Sequence, residues 1–91
     1  MLEKQRATID RIDRELVKLF EERTKTVEEV AEIKLENNME ILDSGREAVV
    51  IEKVQSYLED DSLKGELADL YENIMRISRG HQQEWMSKRN S

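Results

Sequence analysis

The chain has 91 residues, of which 40% are charged and 37% hydrophobic, with three glycines, no proline and no cysteine. That length supports one small domain with a thin core, and so few breakers point to a mostly helical chain. A net charge of −6 argues against non-specific nucleic-acid binding, the lack of cysteine excludes disulfides and thiolate metal sites, and the single His81 leaves no His-rich metal site.

The N-terminal stretch Met1-Leu2-Glu3-Lys4-Gln5-Arg6 is charged and lacks the apolar segment of a secretory signal. No run approaches the ~20 apolar residues of a membrane span. A soluble cytoplasmic protein with no membrane partner is therefore expected. The first predicted helix runs from about residue 2 to residue 36. Wound as a helix, it places Ile9, Ile12, Leu16, Leu19, Phe20, Val27 and Val30 on one stripe. Arg23 and Lys34 fall within the same stripe. A charge buried there needs an opposite charge, and this segment brings no carboxylate to the stripe. The anion is expected from outside the chain or from a dimer interface, although Lys34 also suits the negative end of the helix dipole. The opposite face, with Lys4, Asp10, Arg14, Glu15, Lys18, Glu21, Glu22, Lys25, Glu28, Glu29 and Glu32, reads as solvated.

Asn37-Asn38 ends this helix, since asparagine tolerates the left-handed backbone of a helix C-terminus, and residues 39–42 form a short connection. The second helix, about 44–59, opens at Asp43-Ser44-Gly45-Arg46-Glu47, where Ser44 and Glu47 fit a capping box. Its apolar stripe is Val50, Ile51, Val54, Tyr57 and Leu58. After the acidic turn Glu59-Asp60-Asp61-Ser62, a third helix over about 63–86 is expected, capped by Ser62 or Asp61. Its stripe is Leu63, Leu67, Leu70, Ile74, Ile77, His81 and Trp85, and residues 87–91 read as a frayed tail.

A first helix of this length is about 50 Å long, whereas a compact domain of this size is roughly 30 Å across. Its apolar stripe continues into the overhang, so a second copy is the simplest cover. The expected architecture is all-α, with a long, a short and a medium helix per chain in an intertwined homodimer whose sites draw on both chains.

No Ser-His-Asp set, cysteine nucleophile, glycine-rich phosphate loop or metal-ligand spacing is present. The remaining chemistry is electrostatic preorganisation by fixed cations and donors. Arg23 and Lys34 are its first candidates. Arg6 lies at the edge of the stripe or on the surface. Glu47 is a capping acid or a pocket carboxylate. Ser78 and Gln82, an i, i+4 pair, form a core hydrogen bond or a pocket wall. His81 reads as a satisfied core histidine and Trp85 and Tyr71 as packing residues, while Gly80 in mid-helix has no explanation in the spacing. Three cations, one acid and two neutral polar groups suit a small molecule with more than one carboxylate and a hydroxyl.

These residues stand in a longer pattern: Arg6-x-x-Ile9-Asp10-x-Ile12-Asp13-x-x-Leu16, Glu22-Arg23 and Val30-Ala31-x-x-Lys34 in the first helix, Asp43-x-x-Arg46-Glu47-x-x-Val50 at the second, and Ile74-Met75-x-x-Ser78-Arg79-x-x-Gln82 in the third. In order and spacing the chain resembles the all-helical class of chorismate mutases over residues 2 to 84. The resemblance implies an interlocked dimer with two sites that rearrange chorismate to prephenate, in the route to phenylalanine and tyrosine, without a cofactor or a metal. It implies that Arg6 binds a substrate carboxylate in the partner's site and Arg23 the other carboxylate in its own. Lys34 and Gln82 would donate to the ether oxygen that gains charge as its bond breaks, Glu47 with the Asp43 backbone would hold the ring hydroxyl, and Ser78 and Arg46 would help anchor carboxylates. A neutral Gln82 implies activity that persists to high pH.

Two other readings compete. Isochorismate-pyruvate lyases share the fold but do not keep the acid of the Arg-Glu pair, so Glu47 favours the mutase. A non-catalytic helical dimer module would bridge Arg23 and Lys34 with its own carboxylates. Such domains also occur fused to other enzymes of the pathway. No second domain or amino-acid feedback site is expected in this chain, and a regulatory pathway-enzyme partner is left open.

Overall fold

A computed structural model describes the backbone of residues 1–90 and the side chains of residues 1–89, and it contains only helices among them. Helix α1 spans Glu3–Glu36, α2 spans Ser44–Ser56 and α3 spans Lys64–Asn90, the last preceded by a 3₁₀ turn at Asp61–Leu63. Neither proline nor glycine interrupts the 34 residues of α1. It stops in a Schellman arrangement: the Met39 amide donates to the Lys34 carbonyl at 2.8 Å and the Asn38 amide to that of Leu35 at 3.4 Å. Asn38 takes the required left-handed backbone, with φ 54°. The Asn37 side-chain amide adds a bond to the Ile33 carbonyl at 2.8 Å.

Helix α2 ends three residues before the expected boundary of 59. The Tyr57 and Leu58 amides turn back to the Val54 and Gln55 carbonyls, each at 3.2 Å, which tightens the last turn into 3₁₀ geometry. Tyr57 is consequently 74% exposed rather than part of the stripe. The cap of the next segment is Asp60, not Ser62 or Asp61: its carboxylate accepts from the Ser62 hydroxyl at 2.6 Å and amide at 3.0 Å. Those two bonds, the hydroxyl first, hold the Asp60 carboxyl below the usual range. The Gln55 side chain then donates to the Lys64 carbonyl at 3.1 Å, tying the end of α2 to the start of α3.

Helix α3 continues through the stretch expected to fray, up to Asn90; Ser91 lies outside the described residues. A cluster against α1 explains the extra turns. The Arg89 Nε bonds Glu32 at 2.8 Å, the Trp85 indole donates to the same carboxylate oxygen at 3.1 Å, and the Arg89 guanidinium stacks 4.5 Å from the Trp85 ring centroid. One turn earlier, His81 Nε2 lies 2.7 Å from Glu28, whose side chain is only 13% exposed. Glu28 and Glu32 are therefore not part of a solvated face. The covered positions of α1 are Arg23, Thr24, Val27, Glu28, Ala31, Glu32, Lys34 and Leu35. That set is rotated from the apolar stripe toward the Glu28–Glu32 side, because α3 packs on the flank of the stripe rather than on its centre. His81 is thus a paired interface histidine.

The core is small: among the described residues Ala31 and Met75 are the buried apolar ones. Ile9, Ile12, Leu16, Val17, Leu19 and Phe20 in the N-terminal half of α1 are 42–59% exposed. The chain measures 53 Å along its longest axis, with a radius of gyration of 16.2 Å against about 12 Å for a compact chain of this length. Its surface of 7490 Å² exceeds by roughly 2,000 Å² the ~5,500 Å² of a compact monomer of equal mass. No helix among the described residues is long and apolar enough to cross a membrane.

The bond from His81, followed by burial and the charge of Lys25, sets the Glu28 carboxyl below its ordinary value of 4.5, the first and third lowering it against the second. A carboxyl depressed on folding contributes stability that is complete above its unfolded pKa and is lost as pH falls through the folded one. Thermal melts between pH 3 and 7 should therefore show an acid-side loss of stability that is smaller in Glu28→Gln and His81→Ala, both of which should also melt lower than wild type at pH 6.

A candidate active site between the three helices

One cleft collects side chains from all three helices. Arg23, Val30 and Lys34 come from α1, Ile41 and Asp43 from the connection, Arg46, Glu47 and Val50 from α2, and Met75, Ser78, Arg79 and Gln82 from α3. Arg23 and Lys34, about 16 Å apart along α1, face this same space. Of the eight residues expected at a site, seven meet here, namely Arg23, Lys34, Asp43, Arg46, Glu47, Ser78 and Gln82. Arg6 does not: it is exposed on α1, some 25 Å of helix rise before Arg23.

The C-terminus of α1 fixes Lys34. Its ammonium, half-buried, donates to the Ile41 carbonyl at 2.7 Å. The Schellman turn brings the connection back across the helix end, and one of three donors is thereby used while two are left for a ligand. Among the described residues no carboxylate pairs with Arg23 or Lys34, so the charges of the α1 stripe are not neutralised within the chain.

The start of α2 differs from the expected capping box. Asp43, not Ser44, is the cap, its carboxylate accepting from the Arg46 amide at 3.0 Å. From the non-helical backbone of Asp43 the side chain reaches the third amide of the helix, and Ser44 already lies in the first turn. Glu47 is thereby released from capping. Both its oxygens accept from one nitrogen of Arg79, at 2.5 and 2.6 Å. Arg79 was not among the expected site residues. Its spacing supplied a signal, since it lies three residues before Gln82 and hence on nearly the same face of α3.

Gln82 is 6% exposed, and its amide nitrogen donates to the Ser78 hydroxyl at 3.4 Å. Among the described residues the Gln82 carbonyl oxygen is buried with no hydrogen-bond partner. An unpaired buried acceptor is costly. Gly80 faces away from the cleft, and a methyl group there would meet nothing within 4 Å, so no close approach requires glycine. Among the described residues no group of three or more histidine and carboxylate side chains is placed to hold a metal.

Four cations line the cleft against two carboxylates, a positive excess in a chain whose net charge is −6. Such a site suits a small dianion, with Val30, Ile41, Val50 and Met75 as apolar walls. The sequence matches the family model of chorismate mutase type II over residues 5–83. The chain therefore belongs to the type II chorismate mutase family. No curated protein and no solved structure matches it.

The cap assignment has a direct test. Asp43→Ala should lower stability by about 1 kcal/mol, read from urea midpoints, whereas Ser44→Ala should leave it nearly unchanged; the reverse order would restore Ser44 as the cap.

Proposed function

We propose that this chain is a soluble cytoplasmic chorismate mutase that rearranges chorismate to prephenate in aromatic amino-acid biosynthesis. The observation that carries the proposal is the meeting of seven motif residues at one cleft with excess positive charge. The reaction is concerted: a C–O bond breaks while a C–C bond forms, and no proton transfer is needed. The site's tasks are to hold a flexible dianion in its compact conformer and to stabilise charge at the ether oxygen.

Arg23 takes one carboxylate in its own chain, and Arg46 and Ser78 help anchor carboxylate groups. Lys34, already oriented by the Ile41 carbonyl, donates to the ether oxygen. Gln82 donates to the same oxygen from the opposite helix. A half-turn of its amide lets the Ser78 hydroxyl donate to its carbonyl and aims its NH₂ into the cleft, which gives the unpaired oxygen a partner. Glu47 accepts from the ring hydroxyl, assisted by the Asp43 backbone. Its presence is what favours the mutase over the lyase on isochorismate.

The assay is the loss of chorismate absorbance, with isochorismate and a test for salicylate as the comparison. Lys34→Ala should lower kcat about 100- to 1,000-fold, the usual cost of removing a donor aimed at developing negative charge. Near-normal turnover in that variant would remove Lys34 from the mechanism.

The exposed apolar residues of α1 and the distance of Arg6 from its own cleft support a homodimer in which Arg6 completes the partner's site. Sedimentation equilibrium at micromolar concentration should give twice the 10.8 kDa chain mass. Mixed Arg6→Ala and Lys34→Ala chains should recover about a quarter of wild-type activity by random pairing of subunits. A stable folded monomer, or no recovery on mixing after subunit exchange, would contradict the shared site.

A further inference from the structure

Glu47 poses an electrostatic problem in a site for a dianion, because a carboxylate at the cleft repels the carboxylates that Arg23 and Arg46 attract. Its partner is Arg79, one nitrogen of which sits 2.5 and 2.6 Å from the two Glu47 oxygens. Both side chains line the cleft, with 32% and 25% exposure for Arg79 and Glu47. A half-exposed ion pair contributes little to fold stability. Its effect on the site is larger. It fixes the direction of the carboxylate, and it leaves each oxygen a second lone pair with which to accept from a ligand. It also raises the cations lining the cleft to four against two carboxylates, an excess that matches two substrate carboxylates.

We propose that Arg79 is a positioning residue that aims Glu47 at the substrate hydroxyl and offsets its charge, so that a hydroxylated dicarboxylate can bind beside a carboxylate. The inference rests on the proposed chorismate mutase function. It assigns Arg79 no contact with the reacting atoms. The contact through a single nitrogen is one that a lysine ammonium can imitate, unlike a forked guanidinium pair. Neutral residues cannot.

The experiment measures kcat and KM for chorismate in Arg79→Met, Arg79→Lys, Glu47→Gln and the double variant Arg79→Met/Glu47→Gln, with Arg76→Met as a control for charge on α3 outside the cleft. Arg79→Met should raise KM about tenfold with kcat within about threefold, since the hydroxyl contact is made before and during the reaction alike. Arg79→Lys should stay within about threefold of wild type in KM. Glu47→Gln alone should lower kcat/KM, yet added to Arg79→Met it should bring KM back down, because the excess of two positive charges is restored. Arg76→Met should match wild type.

Additive losses in the double variant would make Arg79 a direct carboxylate ligand and overturn the proposal, as would equal losses in Arg79→Lys and Arg79→Met. Should Arg79→Met fail to fold by circular dichroism, Arg79→Gln replaces it with the same expectations. Wild-type turnover of chorismate with Arg79→Met unchanged removes only this inference. A wild-type chain that leaves chorismate intact removes the functional reading and this inference with it.

Discussion

Helix α1 is 34 residues long, and among the described residues it is its C-terminal half that the other helices cover. Helix α3 runs beside that half and is fastened to it by Glu28–His81 and by Glu32 with Trp85 and Arg89. These polar contacts decide which side of α1 the rest of the chain uses. With α3 on the Glu28–Glu32 flank, the centre of the apolar stripe is left facing elsewhere. At its C-terminal end it faces the cleft closed by α2. At its N-terminal end it faces nothing in the chain, and the exposed Ile9, Ile12, Leu16 and Phe20 mark the surface that burial against another protein surface would stabilise most.

The placement of charge follows from this geometry. Arg23 and Lys34 would be a liability inside a single-chain core, where an unpaired cation is costly. Moving α3 to the flank lets both open into a shared cleft instead. The termination of α1 adds the rest. The left-handed Asn38 turns the chain sharply, which carries Ile41 over Lys34 and starts α2 with Asp43, Arg46 and Glu47 along the same wall. A local backbone feature thus brings three of the charged side chains to the cleft.

Much of this was legible in the sequence. The absence of breakers from residue 3 to residue 36 and the asparagine pair at its end located α1, and cations on an apolar stripe pointed to a candidate site. Periodicity did not reveal which flank α3 would take, because Glu28 and Glu32 look solvated until His81, Trp85 and Arg89 arrive from more than 50 residues away. The continuation of α3 to Asn90 was missed for the same reason, since its basic last turn is held by Glu32 rather than by local propensity. At the start of α2, Ser44 and Asp43 both offered a cap, and the backbone at residue 43 chose between them. That choice mattered for the site, because the capping box had occupied Glu47. Arg79 stood in the third-helix pattern without a readable direction, since its partner lies 32 residues earlier in the chain, a pairing that no local pattern encodes.

The pairing of Arg79 with Glu47 also bears on how an acid can serve in a site built for anions. A carboxylate is the natural acceptor for a hydroxyl proton, but alone it would oppose the anion binding proposed for Arg23, Lys34 and Arg46. Replacing it with a neutral acceptor would remove the repulsion and weaken the hydrogen bond, since bonds to an ionised acceptor are stronger. A cation held against the side of the carboxylate keeps the stronger acceptor and screens the repulsion. The cost is geometric: the cation must reach both oxygens without covering the lone pairs that face the ligand. A guanidinium from α3 that contacts Glu47 through a single nitrogen would meet that condition, since α2 and α3 present the two residues across the cleft rather than along one helix.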